Sequence, residues 1–305
     1  SNFEKVAMRV NVDQRVTDWL KIGMNVSLQF SESNRPNVGN ILNNAINTSP
    51  LGQVYNPDGS FRYLPGGIQE TPNPLIDVYE TTTNELNRND IMNIFLDINL
   101  AKGFTYKLNA SRRSWNYKAM SFNSSKSLSG IANSGQGSGY IRFQDNVEYQ
   151  LSNILHYNLN VAEKNHFNVT GVYEITSSEY NDFRNSASRI PSDILGIYGL
   201  ESAFLNTPLI GGNERSLISF AGKLEYDFDN KYYFTVSGRA DGSSVFGANN
   251  KWGFFPAVNA AWNVSNEEFM KEHVPVLSNL KLNHEQQNLL QMQLHLFQTK
   301  TIMIL

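Results

Sequence analysis

The chain has 305 residues, 40% hydrophobic, 12% aromatic and 17% charged, with a formal net charge of −3, so it offers no basic field for nucleic acid. It has no cysteine, which excludes disulfide scaffolds and thiolate metal sites and leaves the compartment open. No apolar run reaches the ~18 residues of a membrane-spanning helix, and Ser1-Asn2-Phe3-Glu4-Lys5 does not read as a secretory leader.

Alternation with a period of two dominates the chain. Val6, Met8, Val10 and Val12 alternate with Ala7, Arg9 and Asn11. The clearest run follows: Leu20, Ile22, Met24, Val26, Leu28 and Phe30, separated by Lys21, Gly23, Asn25, Ser27 and Gln29. A helix would scatter these apolar residues around its circumference, whereas a strand sorts them onto one face. The same sorting recurs from Ile94 to Leu100, Phe104 to Ser111, Val147 to Leu159 and Phe167 to Ile175, where Val172 breaks it. Ile218 to Phe228, Tyr232 to Ala240 and Phe254 to Val264 continue the series, and a tenth strand begins near 277–282.

Connection lengths alternate too. Short ones are predicted near 13–18, 101–103, 162–166 and 229–231, and long ones near 31–90, 115–140, 177–216 and 241–252. One tight rim and one elaborated rim are expected of an up-and-down outer-membrane barrel whose strands of roughly ten residues cross tilted. The face between the apolar residues carries Lys, Arg, Asp, Glu, His and Asn, so it must be wet and the apolar face must meet lipid or a second sheet. Ser265-Asn266-Glu267-Glu268 has the pattern of a capping box, with Ser265 as N-cap, Glu268 at N3 and Val264 and Phe269 as a staple. It predicts a helix over 266–272 on the tight rim. The five histidines show no metal-ligand spacing, and His156 falls on a polar strand face. Gly135-Gln136-Gly137-Ser138-Gly139 reads as a flexible loop rather than a phosphate cradle. No motif points to catalysis or to a cofactor, so no enzyme is expected. The segment around Asp193-Ile194-Leu195-Gly196 reads as carrying structure of its own.

Several strings resemble the SusC/RagA-like family of TonB-dependent outer-membrane transporters. The most specific is Arg239-Ala240-Asp241-Gly242-Ser243-Ser244-Val245-Phe246-Gly247, then Lys251-Trp252-Gly253-Phe254-Phe255-Pro256-Ala257, then Ala261-Trp262-Asn263-Val264-Ser265-Asn266-Glu267-Glu268-Phe269-Met270. Arg9, Asn11, Asp13, Thr17, Trp19-Leu20, Gly23 and Asn25 are similar to an earlier family motif, as are Val54 to Ser60 and Asn73-Pro74-Leu75. The likeness spans about residues 4–282. The candidate motif residues are therefore Arg239, Asp241, Gly242, Ser243, Ser244, Phe246, Gly247, Trp252, Gly253, Pro256 and Trp262, read as structural: Asp241-Gly242 as a turn leaving a strand, Gly247 and Gly253 for tight passage, Pro256 at a rim, and Trp19, Trp252 and Trp262 as interface aromatics.

The resemblance implies an all-β, antiparallel, up-and-down transmembrane β-barrel segment, incomplete, with about ten strands of a barrel of about 22. It implies outer-membrane import of oligosaccharides or peptides, with a SusD-like surface lipoprotein, the TonB complex, outer-membrane lipid and a glycan or peptide ligand as partners. A signal peptide, a TonB-box segment and a plug domain are not found in this sequence, so this portion is expected not to transport alone. The rival readings are a passive outer-membrane porin or adhesin barrel and a soluble β-rich carbohydrate-binding or hydrolase domain. Residues 1–282 are read as barrel. From Asn283 to Leu305 the alternation fails and the family pattern is lost, which a shifted reading frame or an assembly error would explain.

Overall fold

The computed structural model describes residues 1–37, 39, 41–67, 71–247, 249–274, 276–277, 279–291 and 294–304, with side chains as far as residue 286. The alternating segments form β1 (Asn2–Arg15), β2 (Leu20–Arg35), β3 (Thr81–Ala101), β4 (Phe104–Asn123), β5 (Gly137–Val161), β6 (Asn165–Ile190), β7 (Leu205–Phe228), β8 (Tyr232–Ser243) and β9 (Trp252–Asn263). The backbone continues through β10 (Lys281–Gln291) and β11 (Leu294–Ile304), so eleven strands stand where ten were expected. Each strand pairs antiparallel with its sequence neighbours, in the order β1 to β11, and the sheet is open between its two edges. The expected tail thus continues the ladder in its backbone, a pattern that main-chain groups make whatever the side chains are.

Register preserves the two faces from β1 to β9. Leu20 opposes Ile98, which opposes Tyr106, which opposes Leu155. On the other face Lys21 opposes Asp97, which opposes Lys107. A slip by one residue would exchange the faces, so the hydrophobic pattern fixes the pairing. The departure at Val172 is local: it sits on the polar face between its partners Ile154 and Ala221.

The middle strands are far longer than alternation suggested. β3 to β7 have 21, 20, 25, 26 and 24 residues. At ~3.3 Å per residue and ~40° of tilt, the longest rises ~65 Å, against an apolar band of ~25 Å in a membrane barrel. Beyond such a band both faces of a membrane strand would meet water. The ladder continues there, but alternation stops, so periodicity alone could not see it. The long connections shrink accordingly to 36–80, 124–136, 191–204 and 244–251. The Gly135–Gly139 stretch is likewise not simply a loop, because Gly137 already begins β5.

Buried hydrophobic side chains gather mainly at the long-loop rim rather than in the wall. Phe122, Ala187, Ile190 and Leu200 form a cluster against Ile141, Ile197 and Ala203. There the 191–204 connection makes a 3₁₀ turn, Gly196–Ser202, the structure anticipated for that loop. The 36–80 connection carries α1 (Ile41–Asn47) and α2 (Pro74–Glu80), and the 124–136 connection carries α3 (Leu128–Ala132). Asn73, only 1% exposed, caps α2. Its Oδ1 accepts from the Leu75 N–H, and its Nδ2 donates to the Val54 and Arg62 carbonyls. Asp193 accepts from the N–H and hydroxyl of Ser125, joining two loops.

The predicted capping box does not form. Val264–Asn266 is a 3₁₀ turn, and α4 (Glu268–His273) starts after Glu267 with no side-chain cap. Ser265 Oγ instead donates to Asn263 Oδ1 at 2.8 Å. The N-cap position falls instead to Glu267, whose carboxylate accepts from Tyr232 and Trp262 in the wall rather than from the helix N-terminus. Val264 is buried and Phe269 exposed, and with the N-cap at Glu267 they no longer occupy the staple positions flanking it.

Candidate functional site

The polar face has a cross-strand network at its middle. Arg239 on β8 donates through Nε to both Asp241 oxygens, at 2.7 and 2.9 Å, and through a terminal nitrogen to Ser219 Oγ on β7 at 2.9 Å. The same guanidinium lies 3.9 Å from Glu174 on β6. Glu174 in turn accepts from Gln150 and Ser152 on β5, at 2.7 and 2.6 Å. Four adjacent strands are thus tied by one chain of charge-assisted hydrogen bonds on the wet face. Sequence reasoning found Arg239 and Asp241 but read them as structural, with Asp241 at a turn leaving the strand, and missed Ser219, Glu174, Gln150 and Ser152. Their common even or odd parity was legible, but not the register that aligns them. His156, as expected, lies on this face and meets Thr170 Oγ1 at 3.0 Å.

Nearer the long-loop rim the same face carries a second group. Tyr117 donates to Glu85 at 2.9 Å, and Arg35 donates to the same oxygen at 2.9 Å. Arg142 holds Asp182 through two bonds of 2.9 and 2.6 Å. Trp115 and Tyr117 stand parallel with ring centroids 6.0 Å apart, and Arg184 lies 4.5 Å from the Tyr140 ring centre. The arrangement sets aromatic surfaces and paired ions side by side on one face.

The other face presents exposed apolar side chains, including Val6, Met24, Ile94, Leu224 and Val236. Aromatic side chains bracket them. Trp252 opens β9 and Trp262 lies ten residues on along the same strand and the same face. That separation is ~33 Å along the strand and ~25 Å along a barrel axis, the height of the apolar band of a membrane barrel. At one level Trp252 stacks near Phe220, and Phe220 on Tyr173; at the other Trp262 stacks on Tyr232, and Tyr232 on Phe228. Trp19, exposed beside the β1–β2 turn, lies on the tight rim with the second level.

Glu267, which the sequence did not single out, pins that level to the rim. It accepts from Tyr232 Oη and, at 3.1 Å, from Trp262 Nε1, and pairs with Lys231 at 3.1 Å. The Tyr232 hydroxyl, followed by Trp262 and Lys231, holds the Glu267 carboxyl below its ordinary 4.5.

The remaining motif residues shape this wall. Asp241 and Gly242 do not leave the strand as predicted; both stay in β8, opposite Gly253 and Trp252. Gly242 has no positive φ. A Cβ there would lie 2.9 Å from the Trp252 indole, so the residue makes room for a ring rather than a turn. The turn comes later, where Ser244 N–H donates to the Ser216 carbonyl and Ser216 N–H to Ser244 Oγ, each at 2.9 Å. Ser243 N–H closes onto the Lys251 carbonyl at 2.9 Å. Phe246 is half-buried and Gly247 exposed in that turn. Gly253 accommodates the Phe255 ring, and Pro256 sits within β9 opposite Gly238.

An open meander of long, two-faced strands with paired aromatic belts defines the class of outer-membrane-type β-barrel walls. The chain belongs to the TonB dependent receptor-like, beta-barrel family, whose description matches residues 16–270. That is a family of transporters and receptors of the outer membrane rather than of enzymes. Among curated relatives it is 27% identical to TonB-dependent receptor P26 of Formosa agariphila over 278 residues, 89% of this chain and 28% of that protein. It is 46% identical over 67 residues to TonB-dependent receptor SusC of Bacteroides thetaiotaomicron, covering 22% of this chain and 7% of SusC. A solved structure of the RagAB peptide transporter shares the fold, with TM-score 0.74 and 22% identity over 93% of this chain and 32% of that one. The chain therefore spans under a third of the length of the long relatives it matches.

Proposed function

We propose that this chain is part of the barrel wall of an outer-membrane importer of oligosaccharides or peptides. The observation that carries the reading is the two-faced sheet itself: aromatic belts ~25 Å apart on the apolar face, and a hydrogen-bonded ionic network on the polar face. The first face suits lipid and the second suits a water-filled lumen. The open sheet edges, β1 and β11, would pair with further strands of the same barrel, since an unpaired edge in lipid leaves main-chain groups unsatisfied. A SusD-like surface lipoprotein and the TonB complex would be its partners, with energy reaching it through parts of the protein outside this sequence. We read residues 1–282 as the barrel portion and 283–305 as an aberrant tail, the product of a shifted reading frame or of an assembly error. A strand pattern restored in another frame of the encoding DNA is expected; its absence from all frames removes the idea.

The test of function is uptake by the full-length protein in its native outer membrane. Energised accumulation of a labelled oligosaccharide or peptide, abolished by collapsing the inner-membrane proton gradient, is expected. Accumulation that survives that collapse would make the barrel a passive porin. A full-length protein that stays monodisperse in plain buffer without detergent would return the assignment to a soluble β domain.

A further inference from the structure

Between the 36–80 and 124–136 loops the long-loop rim opens into a cleft of about 370 Å³. Asn37 and Asn44 line it from the first loop, Asp77 from α2, Asn123 from the end of β4 and Ser129 from α3. No cationic and no aromatic side chain is among its described lining residues.

Asp77 is the charged group of the cleft. Its Oδ1 accepts from the Leu128 N–H at 3.0 Å, and its Oδ2 takes no hydrogen bond from a described residue. Burial pushes its carboxyl above the ordinary 3.8, with the Leu128 N–H opposing weakly, as happens when a half-buried carboxylate has no counter-ion. Asn123 donates through Nδ2 to Ser138 at 3.2 Å, and its Oδ1 is sealed from solvent with no hydrogen-bond partner among the described residues, so the open demand of the cleft is that of Asp77 Oδ2. The unmet demand is therefore for hydrogen-bond donors and positive charge. A primary ammonium carries three donors, one charge and no acceptor, which matches that demand. A neutral sugar ring would find hydroxyl partners here but no aromatic face to rest on.

We propose that this cleft binds the amino-terminal ammonium of a peptide, with Asp77 as its counter-ion and the amides of Asn37 and Asn44 as further acceptors. The proposal deepens the importer reading and rests on it only for the supply of peptides at this rim; binding itself needs no transport.

Isothermal titration of the full-length protein in detergent at neutral pH tests it, with trialanine amide, N-acetyl-trialanine amide and a glucosamine trimer as probes. Trialanine amide is expected to bind. Acetylating its amine, or the change Asp77→Asn, is expected to weaken binding by about tenfold or more, the scale of a hydrogen bond to a charged group. Asp77→Asn retains an oxygen for the Leu128 N–H, and Asn44→Ala provides a second variant whose side chain takes part in no described hydrogen bond. Equal affinity for the acetylated peptide overturns the proposal, as does full affinity in both variants. Tighter binding of the glucosamine trimer also overturns it, in favour of an amino sugar. Loss of energised uptake elsewhere, with peptide binding intact, would fell the importer reading and leave this site standing.

Discussion

The wall and the long-loop rim are stabilised by different means. The wall has no interior: its apolar side chains, such as Val6, Met8 and Phe254, are exposed, and its order comes from register and from polar-face networks. The rim is built like a small soluble domain, with Ile190 at 1% and Ile76 at 3% exposure and with Asn73 saturated by hydrogen bonds. The difference teaches where solvent does the sorting. In the wall the surrounding medium covers the hydrophobic face, while in the rim the loops must cover one another.

Changes at matched positions would break or sharpen this contrast. The largest effect is expected from Ile190→Ala, which opens a cavity in the rim cluster and costs about 2–5 kcal/mol. Limited proteolysis should then cut the 191–204 loop while strand content, followed by circular dichroism, stays unchanged; loss of strand signal as well would show that rim and wall fold as one unit. In the wall, Ile175→Arg on the apolar face should cost about 2–4 kcal/mol in a bilayer folding titration. Thr176→Arg, its neighbour on the polar face, should be close to neutral. Equal costs for the two would remove the distinction between the faces.

A smaller effect, about 1–3 kcal/mol of overpacking, is expected from Gly23→Ala. A Cβ there would lie 2.1 Å from the Phe95 ring on the polar face. Phe95→Leu in the same chain should restore most of the loss in thermal denaturation, and no restoration would mean that the glycine serves the backbone instead. The smallest effect is a pH response at the tight rim. Because the Glu267 carboxyl is held low in the folded chain, its contribution is present at neutral pH and is lost only as pH falls through that lowered value, below 4.5. Trp262 fluorescence should shift there, and Glu267→Gln should abolish the shift. A shift that persists in the variant would assign it to another group.

Legibility in the sequence followed the same division. The two faces, the up-and-down order and the alternation of short and long rims were readable in residues such as Leu20 to Phe30, because a strand in contact with two solvents must alternate. The long upper halves of β3 to β7 were not, because water on both faces removes the constraint that produces the pattern. Of the polar-face network, Arg239 and Asp241 stood out by motif. Gln150, Ser152, Glu174 and Ser219 come from three other strands and meet them only through register. Glu267 was passed over because a local capping rule explained its neighbour, whereas a tertiary pull from Tyr232, Trp262 and Lys231 won.

The sequence by itself determined that this chain makes two-faced antiparallel strands, since period and polarity are properties of consecutive residues. Tertiary structure decided which polar residues share a network, how far the strands extend past the apolar band, and where the loops close over a cleft beside Asp77. Those depend on pairing between residues far apart in the chain, and no local pattern encodes that distance.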